Sequence, residues 1–197
     1  MPHVLLTAFE PYDRWKANAS WLTLVQLTQS FPERPQITTR LYPVDFAEMK
    51  TRLAADLKSN FDYSIHLGQA PGSSRIQLEA IGLNIGGSSS QSPDQYRPLV
   101  EEGPVAYRTP LPLDDWAVKL RRAGIPAQVS FHAGTYLCNA TAYWSHYLAE
   151  QMALRTRSVF IHVPLDVSQV VNEPHGTPSL PITISAQAVR LILDELV

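Results

Sequence analysis

The stretch PAQVSFHAGTYLCNATAYWSHYLAEQMA, Pro126 to Ala153, decides the fold. Up to Gly134 it predicts a strand in which Val129 and Phe131 alternate with polar neighbours. From Asn139 onward, Tyr143, Tyr147 and Gln151, and beside them Trp144, Leu148 and Met152, recur at four-residue spacing, as on a helix. The chain's only cysteine, Cys138, stands where strand hands over to helix. That position faces unpaired backbone N–H groups and the positive end of the helix dipole, both of which favour a thiolate. A cysteine taken at random is more often a small buried hydrophobe. The glycine-containing turn at a helix mouth, and a matching histidine further on, argue here for a nucleophile.

Outward from this stretch the same alternation of elements repeats. His3 to Phe9 is an apolar run that delivers Phe9 and Tyr12 to a loop, and Asn18 or Ser20 can cap a helix with Trp21, Leu24, Val25 and Thr28 on one face. Ile37, Thr39 and Leu41 alternate as a strand. Phe46, Met49, Leu53 and Leu57 mark an amphipathic helix, and Tyr63, Ile65 and Leu67 a further strand. Arg75 to Ile85 reads as one extended segment carrying Glu79 among apolar neighbours. Asp114 is placed to cap a helix closed by Gly124. Arg157 to Val163 is another apolar run, and a last helix carries Ile184, Ala188, Leu191 and Ile192. Strand-helix order of this kind predicts an α/β fold with right-handed crossovers and a mainly parallel or mixed sheet, its active groups at the strand C-terminal ends.

The 197 residues, 45% of them hydrophobic, predict a single catalytic domain, 1–197. Gly86 to Leu113, rich in Gly, Ser and Pro and without helical period, reads as an irregular excursion from it, a flap or a subunit contact. A net charge of −2 and scattered basic residues exclude nucleic acid as a partner. MPHVLLTAF has no basic leader and only a short apolar run, so neither a secretory signal nor a membrane span is expected; with one cysteine, this points to the cytoplasm. No HExxH helix, paired CxxC, dinucleotide loop or Walker-type loop is present, so neither metal nor cofactor is expected.

A cysteine nucleophile needs a base that can later return the proton to a leaving amine, and histidine suits both steps. Of six histidines, His162 lies at the end of its strand, two residues before Pro164, on the same sheet rim as Cys138. His3, His66, His132, His146 and His175 lie elsewhere along their elements. Glu79, flanked by Leu78, Ala80 and Ile81, is the carboxylate least readily explained as solvated. It is the candidate to orient the imidazole, with an exposed strand glutamate as the competing reading.

Six ordered blocks resemble the signature segments of the pyroglutamyl peptidase I (pyrrolidone-carboxylate peptidase) family of cysteine peptidases. They are TAFEPYDRWKANASW (7–21), HLGQAPG (66–72), LEAIGLNI (78–85), VEEGPVAYRTPLP (100–112), AGTYLCNATAY (133–143) and FIHVP (160–164). The resemblance implies a three-layer α/β/α sandwich, a Cys138-His162-Glu79 triad, removal of N-terminal pyroglutamate (5-oxoproline) from peptides, and a homo-oligomer, commonly a tetramer and otherwise a dimer. It also implies a pocket in which Phe9 and Tyr12 pack the ring, Gln69 and the Leu137 backbone meet the lactam amide, and Asn18 stands alongside. A flat neutral lactam suits an aromatic, uncharged pocket. The chain departs from the family at Tyr12, where Phe is usual, and at Asp13 and Arg14, where glycines are. An arginine expected after the LNI block is missing, which leaves Arg75 or Arg97 to replace it. That departure keeps open a pyroglutamyl-binding homologue with weak or lost turnover. An unrelated α/β enzyme such as a nucleoside phosphorylase would share only the layers.

Overall fold

The computed structural model describes residues 1–88 and 90–196; Ser89, inside the predicted excursion, and Val197 lie outside the described residues. The strands are β1 (His3–Phe9), β2 (Gln36–Tyr42), β3 (Tyr63–Gln69), β4 (Ile76–Glu79), β5 (Ile81–Leu83), β6 (Ala106–Arg108), β7 (Ala127–Ser130) and β8 (Arg157–Val163). The helices are α1 (Ala19–Thr28), α2 (Phe46–Leu57), α3 (Leu113–Arg122), α4 (Leu137–Gln151) and α5 (Ile182–Leu193). Six strands form one sheet in the order β2-β1-β3-β8-β4-β7. Every neighbouring pair is parallel except β4–β8, which is antiparallel. This is the mixed, mainly parallel sheet that the sequence order predicts.

The period of two along each strand sorts side chains between two cores. Val4, Leu6 and Ala8 of β1 belong to one core, to which α1, α3 and α5 contribute Leu24, Trp116, Leu120 and Val189, whereas Leu5 and Phe9 belong to the other, to which α2 and α4 contribute Met49, Leu53 and Tyr143. With helices covering both faces, the architecture is the α/β/α sandwich. On β8 the alternation sends Val159, Ile161 and Val163 to the first core and Phe160 to the second, so His162 faces the α4 side with Phe160. On β4, Ile76, Leu78 and the following Ala80 occupy the first core, and Glu79 therefore also faces α4.

Several local expectations are corrected. The extended run from Arg75 is broken at Ala80. There the Ala80 N–H donates to Ser130 O at 2.7 Å and Ala80 O accepts from Thr109 N at 3.0 Å, turning the chain out of the sheet into β5. The excursion is not irregular throughout: β6 pairs antiparallel with β5, and Gly86 bridges Arg97. The strand before Cys138 ends at Ser130, and Phe131 is 60% exposed. The helix expected to be capped by Asp114 instead starts at Leu113, after Pro112, with Asp114 in its first turn beside the helix's positive end. On α1 the buried face is Ala19, Ser20, Thr23, Leu24 and Leu27, leaving Val25 exposed. Thr23 Oγ1 donates to Ala19 O at 2.7 Å and Ser20 Oγ to Asn18 Oδ1 at 2.8 Å, so these small polar residues are buried satisfied. No described helix is long and apolar enough to cross a membrane.

Candidate active site

A cavity of about 340 Å³ opens at the C-terminal ends of β1, β3 and β8, against the N-terminus of α4. Phe9, Tyr12, Asn18, Gln69, Leu137, Cys138 and His162, all singled out from the sequence, line it. Glu79 stands behind His162 and does not reach the cavity wall. It is 2% exposed and its Oε1 lies 2.8 Å from His162 Nδ1. An ionised carboxylate only accepts, so Nδ1 carries a proton and donates. This fixes the ring and leaves Nε2 free for the pocket, whose wall His162 shares with Cys138. Burial alone would push the imidazole toward neutrality. The negative charges of Cys138 and Glu79, with the hydrogen bond to Glu79, outweigh it and hold the His162 pKa well above the ordinary imidazole value.

Cys138 is the second residue of α4, whose first intrahelical bond runs from Ala140 N–H to Tyr136 O at 3.0 Å. The N–H groups of Leu137, Cys138 and Asn139 therefore precede the helical ladder, and Tyr136 supplies no side-chain cap. That cluster of donors, on the positive end of a 15-residue helix, can hold a developing oxyanion. Asn139 fixes its position: its Oδ1 accepts from Leu83 N at 2.8 Å, and its Nδ2 donates to Leu83 O and Ile85 O at 2.9 Å. The loop before the cysteine is tied from the other side. Gly87 N donates to Thr135 O at 2.9 Å, and Thr135 Oγ1 donates to Gly87 O at 3.1 Å.

Sequence reasoning missed Gly68, Val44 and the Ala133–Tyr136 segment, which also line the cavity, and the positioning role of Asn139. Gly68 had a usable signal, lying within the quoted HLGQAPG block. A Cβ there would sit 2.4 Å from the Phe160 ring and 3.0 Å from Cys138 Sγ, so a side chain at 68 would have to displace that buried ring and would crowd the sulfur. Neither Arg75 nor Arg97 lines the cavity. Arg97 is turned onto the carbonyls of Asp94 and Tyr96 at 2.7 and 2.8 Å, and Arg75 borders a separate polar groove with Gln77 and Gln128. Asn18 borders the cavity, but its Oδ1 accepts from Ser20 N at 3.0 Å and its Nδ2 donates to Glu10 O at 3.0 Å, so its first task is to cap α1. The Tyr12 hydroxyl is pushed up to about 12 by burial and, next, by the charge of Cys138, which keeps it neutral in the pocket wall. No group of three or more His, Cys, Asp or Glu able to hold a metal occurs among the described residues.

The pyroglutamyl peptidase family model matches residues 2–196. A pyrrolidone-carboxylate peptidase of Yersinia pestis (strain Pestoides F) is 34% identical over 98% of this chain and 90% of its own length. Two solved structures superpose over nearly the whole chain. The pyrrolidone carboxyl peptidase of Fervidobacterium islandicum AW-1 has a TM-score of 0.93 at 31% identity, covering 100% of this chain and 98% of its own. A variant of the pyrrolidone carboxyl peptidase of the hyperthermophile Pyrococcus furiosus has a TM-score of 0.90 at 31% identity, over 99% and 100%. With the family's sandwich, and a cysteine, a histidine and a glutamate drawn together at one end of its sheet, this chain belongs to the pyroglutamyl peptidase family.

Proposed function

We propose that the chain is a cysteine peptidase that removes N-terminal pyroglutamate from peptides, with Cys138 as nucleophile, His162 as acid and base, and Glu79 as the group that orients and charges the imidazole. The observation that carries this reading is the line from Glu79 Oε1 through His162 to Cys138, ending at a largely aromatic and aliphatic cavity. The lactam ring enters between Phe9 and Tyr12, beside Gln69, Asn18 and Leu137. Sγ attacks the carbonyl carbon joining pyroglutamate to the next residue, and the N–H groups at the start of α4 receive the oxyanion. His162 gives its proton to the leaving amine as the C–N bond breaks, leaving a pyroglutamyl thioester on Cys138. His162 then takes a proton from water, whose oxygen attacks the thioester, and free pyroglutamate departs with the thiol restored.

Selectivity follows from desolvation. An ordinary peptide N-terminus would carry an ammonium group into a cavity that has no carboxylate on its wall, at a cost that the neutral lactam avoids. A lactam-binding homologue without turnover is not favoured, since the family and its relatives indicate peptidase activity. A single domain, 1–197, would carry the whole reaction. A nucleophile that must stay reduced suits the cytoplasm. A homotetramer or dimer is the expected assembly, and Val105, 84% exposed before β6, is an apolar point that self-association would cover. Light scattering coupled to size exclusion tests that.

The deciding experiment is release of a chromogenic amine from a pyroglutamyl anilide. Cys138→Ala and Cys138→Ser should each lower kcat/KM by at least about 10³-fold, and iodoacetamide should abolish the wild-type rate. Ordinary turnover by Cys138→Ala would end this reading.

A further inference from the structure

Gln69 is 3% exposed and lines the cavity, and its amide orientation follows from backbone donors that cannot reverse. Its Oε1 accepts from Ala19 N at 2.7 Å, and a backbone N–H can only donate. The same oxygen accepts a second bond, at 2.8 Å, from Gln169 Nε2. Gln169 is oriented with equal certainty. Its Oε1 accepts from Asp166 N at 2.9 Å, and its Nε2 also donates to Ala17 O at 3.0 Å, so both ends of that amide are spoken for. The consequence falls on Gln69 Nε2, which is buried and has no hydrogen-bond partner. The Gln69 side chain bears on the ionisation of the neighbouring Tyr12 hydroxyl, but no hydrogen bond joins the two. Gln69 lines the cavity, and its unpartnered buried N–H₂ is a donor that an acceptor on a bound ligand can satisfy.

We propose that Gln169 is a positioning residue for substrate recognition: from the turn after β8 it locks the Gln69 amide with its donor end toward the pocket, so that the pocket reads a carbonyl oxygen on the lactam and turns away a ligand presenting N–H there. This rests on the peptidase reading above and adds to it a residue 100 positions from Gln69 in sequence. Gln169 sits in the single turn Val167–Gln169, held by a reciprocal cap with Asp166, whose Oδ1 also accepts from Ile182 N at 2.8 Å. The lock is thus anchored to the start of α5, away from the sulfur. Without Gln169 Nε2, the Gln69 oxygen keeps one partner of two, and a flipped amide that points Oε1 into the cavity becomes accessible.

The test uses two variants and two readouts. Gln169→Met keeps the side-chain length and removes its polar end. Gln169→Glu sets an acceptor against Gln69 Oε1 and favours the flip. In Gln169→Glu, KM for the pyroglutamyl anilide should rise about 10-fold or more, with a smaller rise in Gln169→Met and a lesser change of kcat in both. The second readout does not need turnover: the concentration of 2-pyrrolidone that half-protects Cys138 from iodoacetamide should rise by a similar factor, while the alkylation rate without 2-pyrrolidone stays at the wild-type value. A merely structural role would instead move the unprotected rate or kcat along with KM. Wild-type KM and wild-type half-protection in Gln169→Met would overturn the proposal even if Gln169→Glu failed to fold. Should the wild-type protein be protected by 2-pyrrolidone yet release no amine, the peptidase reading falls and the orientation of the lactam site stands. Without protection or hydrolysis, both fall.

Discussion

At the scale of single residues, Glu79 illustrates how a buried charge can serve chemistry. Its carboxylate is one of the two negative charges that keep the His162 ring protonated against the pull of burial. Glu79→Gln keeps the shape and removes the charge, so the imidazolium loses its proton at lower pH. The basic limb of the kcat/KM profile should therefore move toward acid, with kcat down by roughly 10²- to 10⁴-fold, as for other triads deprived of their acid. An unmoved basic limb would show that Glu79 does not face a protonated ring. His66 is the opposite case. Ser145 Oγ donates to Thr141 O at 2.6 Å, so it accepts from His66 Nε2 at 2.8 Å, and Nδ1 in turn accepts from Thr7 Oγ1 at 2.8 Å. Burial, followed by the nearness of His146, lowers the His66 pKa to about 3, so the ring is neutral and has one nitrogen as donor and the other as acceptor. That Cys138 and His162 share one rim of the sheet was legible in the sequence, because the apolar run ending at His162 and the four-residue spacing after Cys138 mark a strand end and a helix mouth, although the strand before Cys138 stops earlier, at Ser130. Gln169 was not, because nothing local distinguishes a glutamine that meets its partner across the fold.

At the scale of elements, β5 and α4 show why a ribbon of three-residue strands is held at all. Gly82 brings the β5 backbone so close to α4 that a Cβ there would lie 2.6 Å from Tyr143 N and 2.8 Å from its Cα. Helix backbone cannot yield as a flexible side chain can. Gly82→Ala should therefore destabilise the protein by about 1–3 kcal/mol, read as a lowered denaturation midpoint. Because Asn139 bonds Leu83 and Ile85, it should also slow hydrolysis. Unchanged stability and rate would mean that the ribbon floats over the helix. Most main elements were legible from their alternation and spacing, α2 and β3 among them. The β5–β6 ribbon was not: β6 is three residues, Ala106, Tyr107 and Arg108, two of them exposed, and its pairing with β5 is a long-range event that composition does not encode. The end of β4 was equally hidden, since the turn at Ala80 depends on partners at Ser130 and Thr109.

At the scale of the whole molecule, fully buried His66 and partly buried His146 weigh against stability in acid. His66 and His146, the latter lowered by burial to about 4, stay neutral in the fold at pH values where the unfolded chain is already protonated. Their folded pKa values lie below the unfolded one, so their contribution is complete above about pH 6.5 and is lost as pH falls toward 4 and 3, at roughly 1.4 kcal/mol per pH unit for each. His162 has the reverse sign: its raised pKa stabilises the fold below the ordinary imidazole value, and that share fades only as pH rises through the folded value. Denaturant titrations should therefore show stability declining from pH 6.5 to 4, and His66→Gln should flatten that decline. An equally steep decline in the variant would place the acid sensitivity elsewhere. The placing of the chain's single thiol on the pocket wall has a practical corollary. Each molecule offers one sulfhydryl, at the site itself, so moles of label incorporated per mole of chain count the competent sites in a preparation, and a shortfall from unity measures how far storage in air has spoiled it.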